Sequence, residues 1–188
     1  RKSNLTNRVW PGGDRDGNAF VDKDTTLKVA NRLRTTLFKC YYRDIRKLRR
    51  RITFRGTESL MTKMHDSMYV AAFTNPENPG FSLEDLQKWL WELQEVLSTQ
   101  HNGLFLDEVR SLSQKVRIFG LHFSTIDIRQ DSRVISAAVQ EILDTGKVDL
   151  KFSSKTPSPE ERIGALFNVS DEVSINEIET EQHQDTLP

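Results

Sequence analysis

The stretch that decides the fold is IFGLHFSTIDIRQDS, which runs from Ile118 to Ser132. Its first twelve residues are rich in β-branched and aromatic side chains, a composition that predicts a strand over 118–129. Asp131 and Ser132 then offer side-chain oxygens of the kind that cap helices. An apolar period of three to four residues follows them. The stretch therefore predicts a strand that turns a corner directly into a helix.

A second corner lies near the start of the chain, where Val9-Trp10 is followed by PGGDRDGN at residues 11–18. Three glycines and a proline so close together predict a tight loop with exposed backbone amides. A calcium loop needs a glycine at position 6, but Gly17 falls at position 4. A phosphate loop of the Gly-Lys-Ser/Thr type is absent. A structural turn and an active-site loop both stay open.

Between the corners the apolar period predicts four helices. The first is capped by Asp24-Thr25-Thr26 and is about 28 residues, or roughly 40 Å, long. Its apolar stripe comprises Val29, Leu33, Leu37, Tyr41, Ile45, Leu48 and Ile52. The others are a weaker segment over 56–73, a helix that a Ser82/Asp85 capping box opens and Asn102-Gly103 ends, and a segment over 104–116. Trp89 and Trp91 are expected to pack against neighbouring helices, and Cys40 to be buried.

Composition limits the class of protein. The chain has 188 residues, 36% hydrophobic and 29% charged, which suits one domain that buries roughly 70% of its unfolded surface and is mainly helical. No apolar run reaches membrane-spanning length, and the N-terminus resembles no signal peptide. The single cysteine predicts a reducing, cytoplasmic location. Because the chain starts at Arg1 without a methionine, it is interpreted as a piece of a larger protein.

The chain has 27 basic and 27 acidic residues, but the two kinds of charge are distributed unevenly along it. Residues 28–55 hold eleven Lys/Arg and one acid, and residues 157–188 hold eight acids and one Arg. The basic run over 46–51 suits phosphate binding, but it lies on an amphipathic helix, which favours a solvated or salt-bridged face over a nucleic-acid site. The segment 157–188 is predicted to be an acidic, partly disordered tail.

The polar residues at the downstream corner form the most informative constellation. Asp127 and Arg129 are two residues apart, so a strand places both on one side of its C-terminal end. An arginine beside a helix N-terminus suits a phosphate or carboxylate, whereas an ion pair of Arg129 with Asp127 or the tail is the simpler reading. The four histidines show no metal spacing. His122 is interpreted as a hydrogen-bonded strand residue rather than a base.

These residues resemble one family. PGGDRDGN is nearly the GGDRDGNP motif of phosphoenolpyruvate carboxylase, with Ala19 where the family usually has proline. Residues 119–132 resemble its FGL…LDxRQ(D/E)S segment, and both motifs occur in the family's order. The resemblance covers most of this chain but roughly a fifth of the family's length. It implies an internal fragment that contributes about two βα units to a larger parallel (β/α) barrel, with the long helix and residues 56–116 as outer additions.

The resemblance also implies a function and a set of site residues. The family carboxylates phosphoenolpyruvate with bicarbonate to oxaloacetate and phosphate, uses Mg²⁺ or Mn²⁺, and is usually a cytoplasmic homotetramer. By matching position, Arg129 is implied as the phosphate-binding arginine. The loop that carries Asp14, Arg15 and Asp16 is implied to line the same pocket, together with the substrate-binding residues Gly12, Gly13 and Asn18.

Other parts of the family's machinery have no counterpart in this sequence: its His-Pro-Thr-Glu histidine, its metal-binding carboxylates and its glycine-rich mobile loop. The chain alone is therefore expected to lack carboxylating activity, with no metal ligand of its own. The alternative is a helical interaction or nucleic-acid-binding module built on the basic helix 28–55. That alternative explains neither strand-to-helix corner.

Overall fold

The computed structural model describes residues 8–16, 18, 20–144 and 158, with the side chains of 142–144 left aside. The elements, in order, are β1 Arg8–Val9, α1 Lys23–Arg51, α2 Glu58–Phe73, α3 Leu83–Gln100, α4 Leu106–Phe119, β2 Thr125–Ile126 and α5 Ser132–Asp144. The mainly helical class predicted from composition is confirmed for these residues. The chain divides into two compact units, one within residues 1–12 and 26–127 and the other within 13–25 and 128–188.

The core of the first unit lies among α1, α2, α3 and α4. The predicted stripe of α1 is confirmed from Leu37 onward, whereas Val29 and Leu33 are only half-buried. The fully buried side chains of the core are Phe38, Tyr41, Ile45, Ile52, Met61, Met64, Met68, Leu86, Leu90, Leu93 and Leu97. Each buried aliphatic side chain of this size stabilises the fold by about 1.5–3 kcal/mol relative to exposure. The helices are therefore held mainly by the apolar faces that their sequence period predicts.

Tyr41 joins α1 to the end of α4. Its hydroxyl donates to the carbonyl of Gly120 at 3.0 Å and lies 3.3 Å from the carbonyl of Lys115. Burial raises the pKa of this phenol, because the interior disfavours the phenolate. Tyr41 therefore fills the core as a neutral ring and also satisfies the carbonyl that follows α4.

The N-terminus of α3 is confirmed as a capping box. The Ser82 hydroxyl accepts a hydrogen bond from the Asp85 amide at 3.1 Å, and the Asp85 carboxylate accepts from the Ser82 amide at 2.9 Å. The serine hydrogen bonds hold the pKa of Asp85 below its ordinary value. The predicted stop is also confirmed, since Asn102 and Gly103 adopt positive φ angles and the Gly103 amide donates to the Leu97 carbonyl.

Replacing Ser82 with alanine is expected to destabilise the chain by about 1 kcal/mol, because the Asp85 amide loses its acceptor. Urea unfolding monitored by circular dichroism measures the change. Ser111→Ala is the matched control, because Ser111 is exposed within α4 and alanine is the better helix former there. Equal destabilisation by both substitutions would contradict a specific role of the cap.

The predicted strand over 118–129 is wrong in its extent. Ile118 and Phe119 belong to the last turn of α4, which ends at Gly120 with a positive φ of 58°. Only Thr125–Ile126 pair as a strand. The apolar period of α4 runs into the β-branched and aromatic stretch, so composition alone assigned its first residues to the wrong element. His122 is consequently an exposed turn residue, and its predicted place within a strand is wrong.

Three smaller predictions also change. α1 begins at Lys23, and the Asp22 carboxylate, rather than the predicted Asp24-Thr25-Thr26 oxygens, accepts from the Thr25 amide at 2.6 Å. Trp89 is buried as expected, but Trp91 is 60% exposed. Cys40 is only half-buried. Trp91 and Cys40 each follow or precede a buried position of their helix, where the apolar period does not decide the direction of the side chain.

The second unit contains α5, which begins at Ser132 as the corner predicts. Ala138, on the predicted apolar face, is buried. The predicted acidic tail at 157–188 lies outside the described residues, apart from Ser158. None of the helices in the described part of the chain combines the length and the apolar character needed to cross a membrane.

Candidate functional site

The first unit contains a short parallel strand pair. β1 and β2 pair in register, with Arg8 opposite Thr125 and Val9 opposite Ile126. The Asp127 amide extends the ladder by donating to the Val9 carbonyl at 3.1 Å. Asp127 pairs with Arg8 at 3.8 Å, a contact too long and too exposed to contribute much stability. The two corners of the sequence thus begin from neighbouring parallel strands, as a βα architecture requires.

The two motif segments also pair within the second unit. Asp14 and Arg129 form a parallel bridge. The Arg129 amide donates to the Gly13 carbonyl at 2.7 Å, and the Arg15 amide donates to the Arg129 carbonyl at 3.0 Å. Segments more than a hundred residues apart in sequence are therefore held together by backbone hydrogen bonds at the predicted site residues.

This bridge decides which side chains share a face. Residues that pair across a parallel bridge project to the same side of the strands. Asp14 and Arg129 are such a pair, with the Asp14 side chain half-buried and the Arg129 side chain exposed. The bridge therefore places a carboxylate and a guanidinium on one face, and their predicted role in binding the substrate stays a prediction.

Gly12, in the first unit, lies very close to α1. It has a φ of 78°, and a Cβ atom built on it would lie 2.9 Å from Val29 Cγ2 and 3.0 Å from Val29 Cβ. Its carbonyl accepts a hydrogen bond at 2.6 Å from the hydroxyl of Thr26, a buried residue of α1. Glycine is required here for both backbone conformation and space. Sequence reasoning missed Thr26 and Val29 as supports of this loop, because only the fold brings them to it.

The other predicted loop residues have mixed environments. Arg15 is half-buried, and Asp16 and Asn18 are exposed. The Asn18 side-chain oxygen accepts from the Phe20 amide at 3.0 Å, and its carbonyl accepts from the Val21 amide at 3.0 Å. Asn18 therefore stabilises the turn that leads towards α1. The predicted contact of Asn18 with the substrate stays a prediction.

The N-terminus of α5 is occupied by its own capping residue. Asp131 Oδ1 accepts from the Arg133 amide at 2.8 Å, and the Asp131 carbonyl accepts from the Val134 and Ile135 amides. The Arg133 guanidinium contacts the same carboxylate at 2.6 Å. A carboxylate already satisfies the helix end that the sequence had suggested for an anion. The predicted anion contact therefore depends on Arg129 and not on the N-terminus of α5, and it stays a prediction.

The Asp131–Arg133 contact makes a testable prediction about pH. Hydrogen bonds from the Arg133 side chain and amide lower the pKa of Asp131 to about 2. Because the folded pKa lies below the ordinary value of 3.8, the stabilising contribution is present above about pH 4 and is lost as the pH falls towards 2. NMR titration of the Asp131 carboxyl carbon measures the pKa directly.

In Arg133→Gln we expect the pKa of Asp131 to rise, because the guanidinium is removed. Arg117→Gln, a change at an exposed arginine of α4, is the control and should leave the titration unchanged. An Asp131 that titrates at its ordinary value in the unaltered chain would show that the contact does not form in solution.

Clusters of possible metal ligands were sought among the described residues. The described residues contain no group of three His, Cys, Asp or Glu side chains that could hold a metal ion. No chemical step is assigned to a metal ion here.

The parallel pairing of β1 with β2, and the parallel bridge between Asp14 and Arg129, are features of the α/β class of proteins. The family model described as phosphoenolpyruvate carboxylase matches residues 1–72 and 55–169. The chain belongs to the phosphoenolpyruvate carboxylase family.

Individual relatives are more distant. The phosphoenolpyruvate carboxylase of Shewanella loihica is 27% identical over 165 residues, covering 71% of this chain and 18% of the relative. That of Thermus sp. (strain 71) is 24% identical over 176 residues, covering 83% of this chain and 20% of the relative. That of Shewanella sediminis is 28% identical over 165 residues, covering 71% of this chain and 18% of the relative. The chain thus spans about a fifth of the length of the curated relatives that it matches.

Proposed function

We propose that this chain is an internal part of the catalytic region of a phosphoenolpyruvate carboxylase, which carboxylates phosphoenolpyruvate with bicarbonate to give oxaloacetate and phosphate. The observation that supports this most is the parallel bridge between Asp14 and Arg129. It joins the two motif segments on which the family resemblance rests.

Arg129 is proposed as the ligand of the substrate phosphate. A guanidinium donates through a planar fork that matches phosphate oxygens, and it stays charged at every working pH. It neutralises the phosphoryl group in the substrate and, after transfer, in the carboxyphosphate and the released phosphate. Its exposed side chain and backbone-anchored position suit this role.

The GGDRDGN loop is proposed to complete the pocket. Asp14 shares the face of Arg129 and would orient the guanidinium or a neighbouring group. Arg15 and Asp16 would line the same pocket, with Gly12, Gly13 and Asn18 as further substrate-binding positions. The backbone amides of a loop of this kind can contact a ligand closely because glycines leave the approach open.

The architecture, metal and assembly of the parent protein are proposed from the likeness to the family. In the parent protein, residues 1–188 would form one internal fragment that contributes about two βα units to a parallel barrel, with 157–188 as an acidic tail segment. The metal, Mg²⁺ or Mn²⁺, would be bound by carboxylates outside this fragment. The complete protein would be a cytoplasmic homotetramer that requires the rest of the parent chain for activity.

Activity of the isolated chain tests this proposal. The purified 188-residue chain is expected to release no phosphate from phosphoenolpyruvate in the presence of bicarbonate and Mg²⁺, because the family's other catalytic motifs are missing. A longer chain that contains this sequence and those motifs is expected to form oxaloacetate, measured by coupled reduction. Bicarbonate-dependent turnover by the 188-residue chain, or none by the longer one, would refute the proposal.

The alternative function of the chain, a helical interaction or nucleic-acid-binding module on residues 28–55, is not favoured by the family match. Part of its basic run is already engaged in the protein: Arg49 contacts His65 at 2.9 Å, and Arg51 pairs with Glu108 at 3.1 Å. Arg51 also lies 4.5 Å from the centre of the Phe105 ring. These contacts tie α1 to α2 and α4 and are those of a structural helix.

A further inference from the structure

One surface of the first unit is explained by neither the core nor the proposed catalytic site. It begins with a stripe of cations on α1: Arg32, Lys39, Arg43, Arg46 and Arg50. Their separations of 7, 4, 3 and 4 residues place all five on one face of an α-helix. All five are exposed, and from Arg32 to Arg50 the stripe is about 27 Å long.

The cations of this stripe lack acidic partners within the described residues. The neighbouring basic residues of α1 differ, because Arg49 and Arg51 contact His65 and Glu108. Like charges three and four residues apart repel one another along a helix. A helix that keeps five such charges in line is therefore electrostatically suited to an acidic partner.

An aromatic row on α2 lies directly beside the stripe. Tyr69 and Phe73 are 48% and 53% exposed, and Lys39 Nζ lies 5.7 Å from the centre of the Phe73 ring. Tyr42 of α1 contacts both rings, at centroid distances of 5.7 Å and 5.3 Å. The surface is thus amphipathic in cross-section, with an aromatic ridge next to a line of positive charge.

The aromatic side chains beside the stripe form one packed cluster. Tyr42 meets Tyr69 and Phe73 edge to face, at interplanar angles of 62° and 87°. Tyr69 and Phe73 also contact each other, at a centroid distance of 5.2 Å and an interplanar angle of 40°, so the three rings form one apolar ridge. An amphipathic helix offers apolar side chains for the ridge and acids at steps of three and four for the stripe.

We infer that the stripe Arg32–Arg50 on α1, together with Tyr69 and Phe73 on α2, is a docking surface for an acidic amphipathic helix of another protein chain. This surface is additional to the proposed carboxylase site and does not depend on it. Charge complementarity sets the orientation of the partner helix along α1, and the aromatic ridge supplies the contact that is insensitive to salt.

Fluorescence anisotropy on the 188-residue chain tests the inference. The probe is a labelled peptide of about 18 residues with glutamates every three or four residues on one face and leucines beside them. Reversing three charges of the stripe, in R43E/R46E/R50E, is expected to weaken binding about tenfold or more. The matched control K88E/R55E/R117E makes the same change in net charge at exposed sites elsewhere in the first unit and should change binding less than about twofold.

Two further measurements distinguish a specific docking surface from general attraction between opposite charges. Phe73→Ala is expected to weaken binding about threefold or more, because the apolar ridge loses its most exposed ring. A peptide of the same composition with its glutamates spread over all faces should bind about tenfold more weakly. Circular dichroism verifies that each variant folds. Equal binding of both peptides, equal loss in both triple variants, or tighter binding of a single-stranded oligouridylate with the same dependence on the stripe would overturn the inference.

Discussion

Replacing Arg129 with alanine in a longer chain that carries the complete family motifs is expected to lower kcat/KM for phosphoenolpyruvate by about 100-fold or more. The loss follows from the proposed role, because a guanidinium that stabilises the phosphoryl charge through the transition state contributes on the order of two to three powers of ten in rate. Steady-state oxaloacetate formation at saturating bicarbonate measures both kcat and KM.

Two further variants make this result specific. Arg129→Lys keeps the charge but loses the planar fork, so we expect an intermediate activity. Arg117→Ala removes an exposed arginine from α4 and should leave both constants unchanged. Because the Arg129 amide and carbonyl carry the bridge to the loop, the alanine variant should keep its fold. Unchanged kinetics in a folded Arg129→Ala protein would eliminate this arginine as the phosphate ligand.

The sequence predicted the helices well where one apolar period is long. From Leu37 to Ile52 every predicted stripe position of α1 is buried, and the Ser82/Asp85 cap of α3 is present. These features are local, because a helix face and a cap are set by residues within a few positions of each other. The strand prediction is wrong at Ile118 because a short apolar run is compatible with either a helix or a strand.

The sequence predicted the residues of the candidate site but not how they pair. Motif resemblance singled out Asp14 and Arg129, but their pairing as one parallel bridge depends on contacts across more than a hundred residues. The register also assigns the two side chains to one face, which no local pattern encodes. The cap of α5 was predicted, yet its consequence was not: the Asp131 carboxylate fills the helix end proposed for an anion.

The second large effect is expected at Gly12. We expect Gly12→Ala to destabilise the chain by about 2–4 kcal/mol, measured by urea unfolding. About 1–2 kcal/mol comes from the positive φ of 78°, which an L side chain adopts at a cost. The remainder comes from the new methyl group, which would approach Val29 within 2.9 Å and force the loop away from α1. The hydrogen bond between Thr26 and the Gly12 carbonyl resists that displacement.

Gly80 allows the two contributions to be separated. It has nearly the same φ, 75°, but a methyl group added there would meet nothing within 4 Å, so Gly80→Ala should carry the conformational cost alone, about 1–2 kcal/mol. Shortening the neighbour should relieve only the clash. In the double variant Gly12→Ala/Val29→Ala, the loss should therefore be smaller than the sum of the two single losses by about 1 kcal/mol or more. Additive losses, or equal effects at Gly12 and Gly80, would mean that Val29 does not hold the loop against α1.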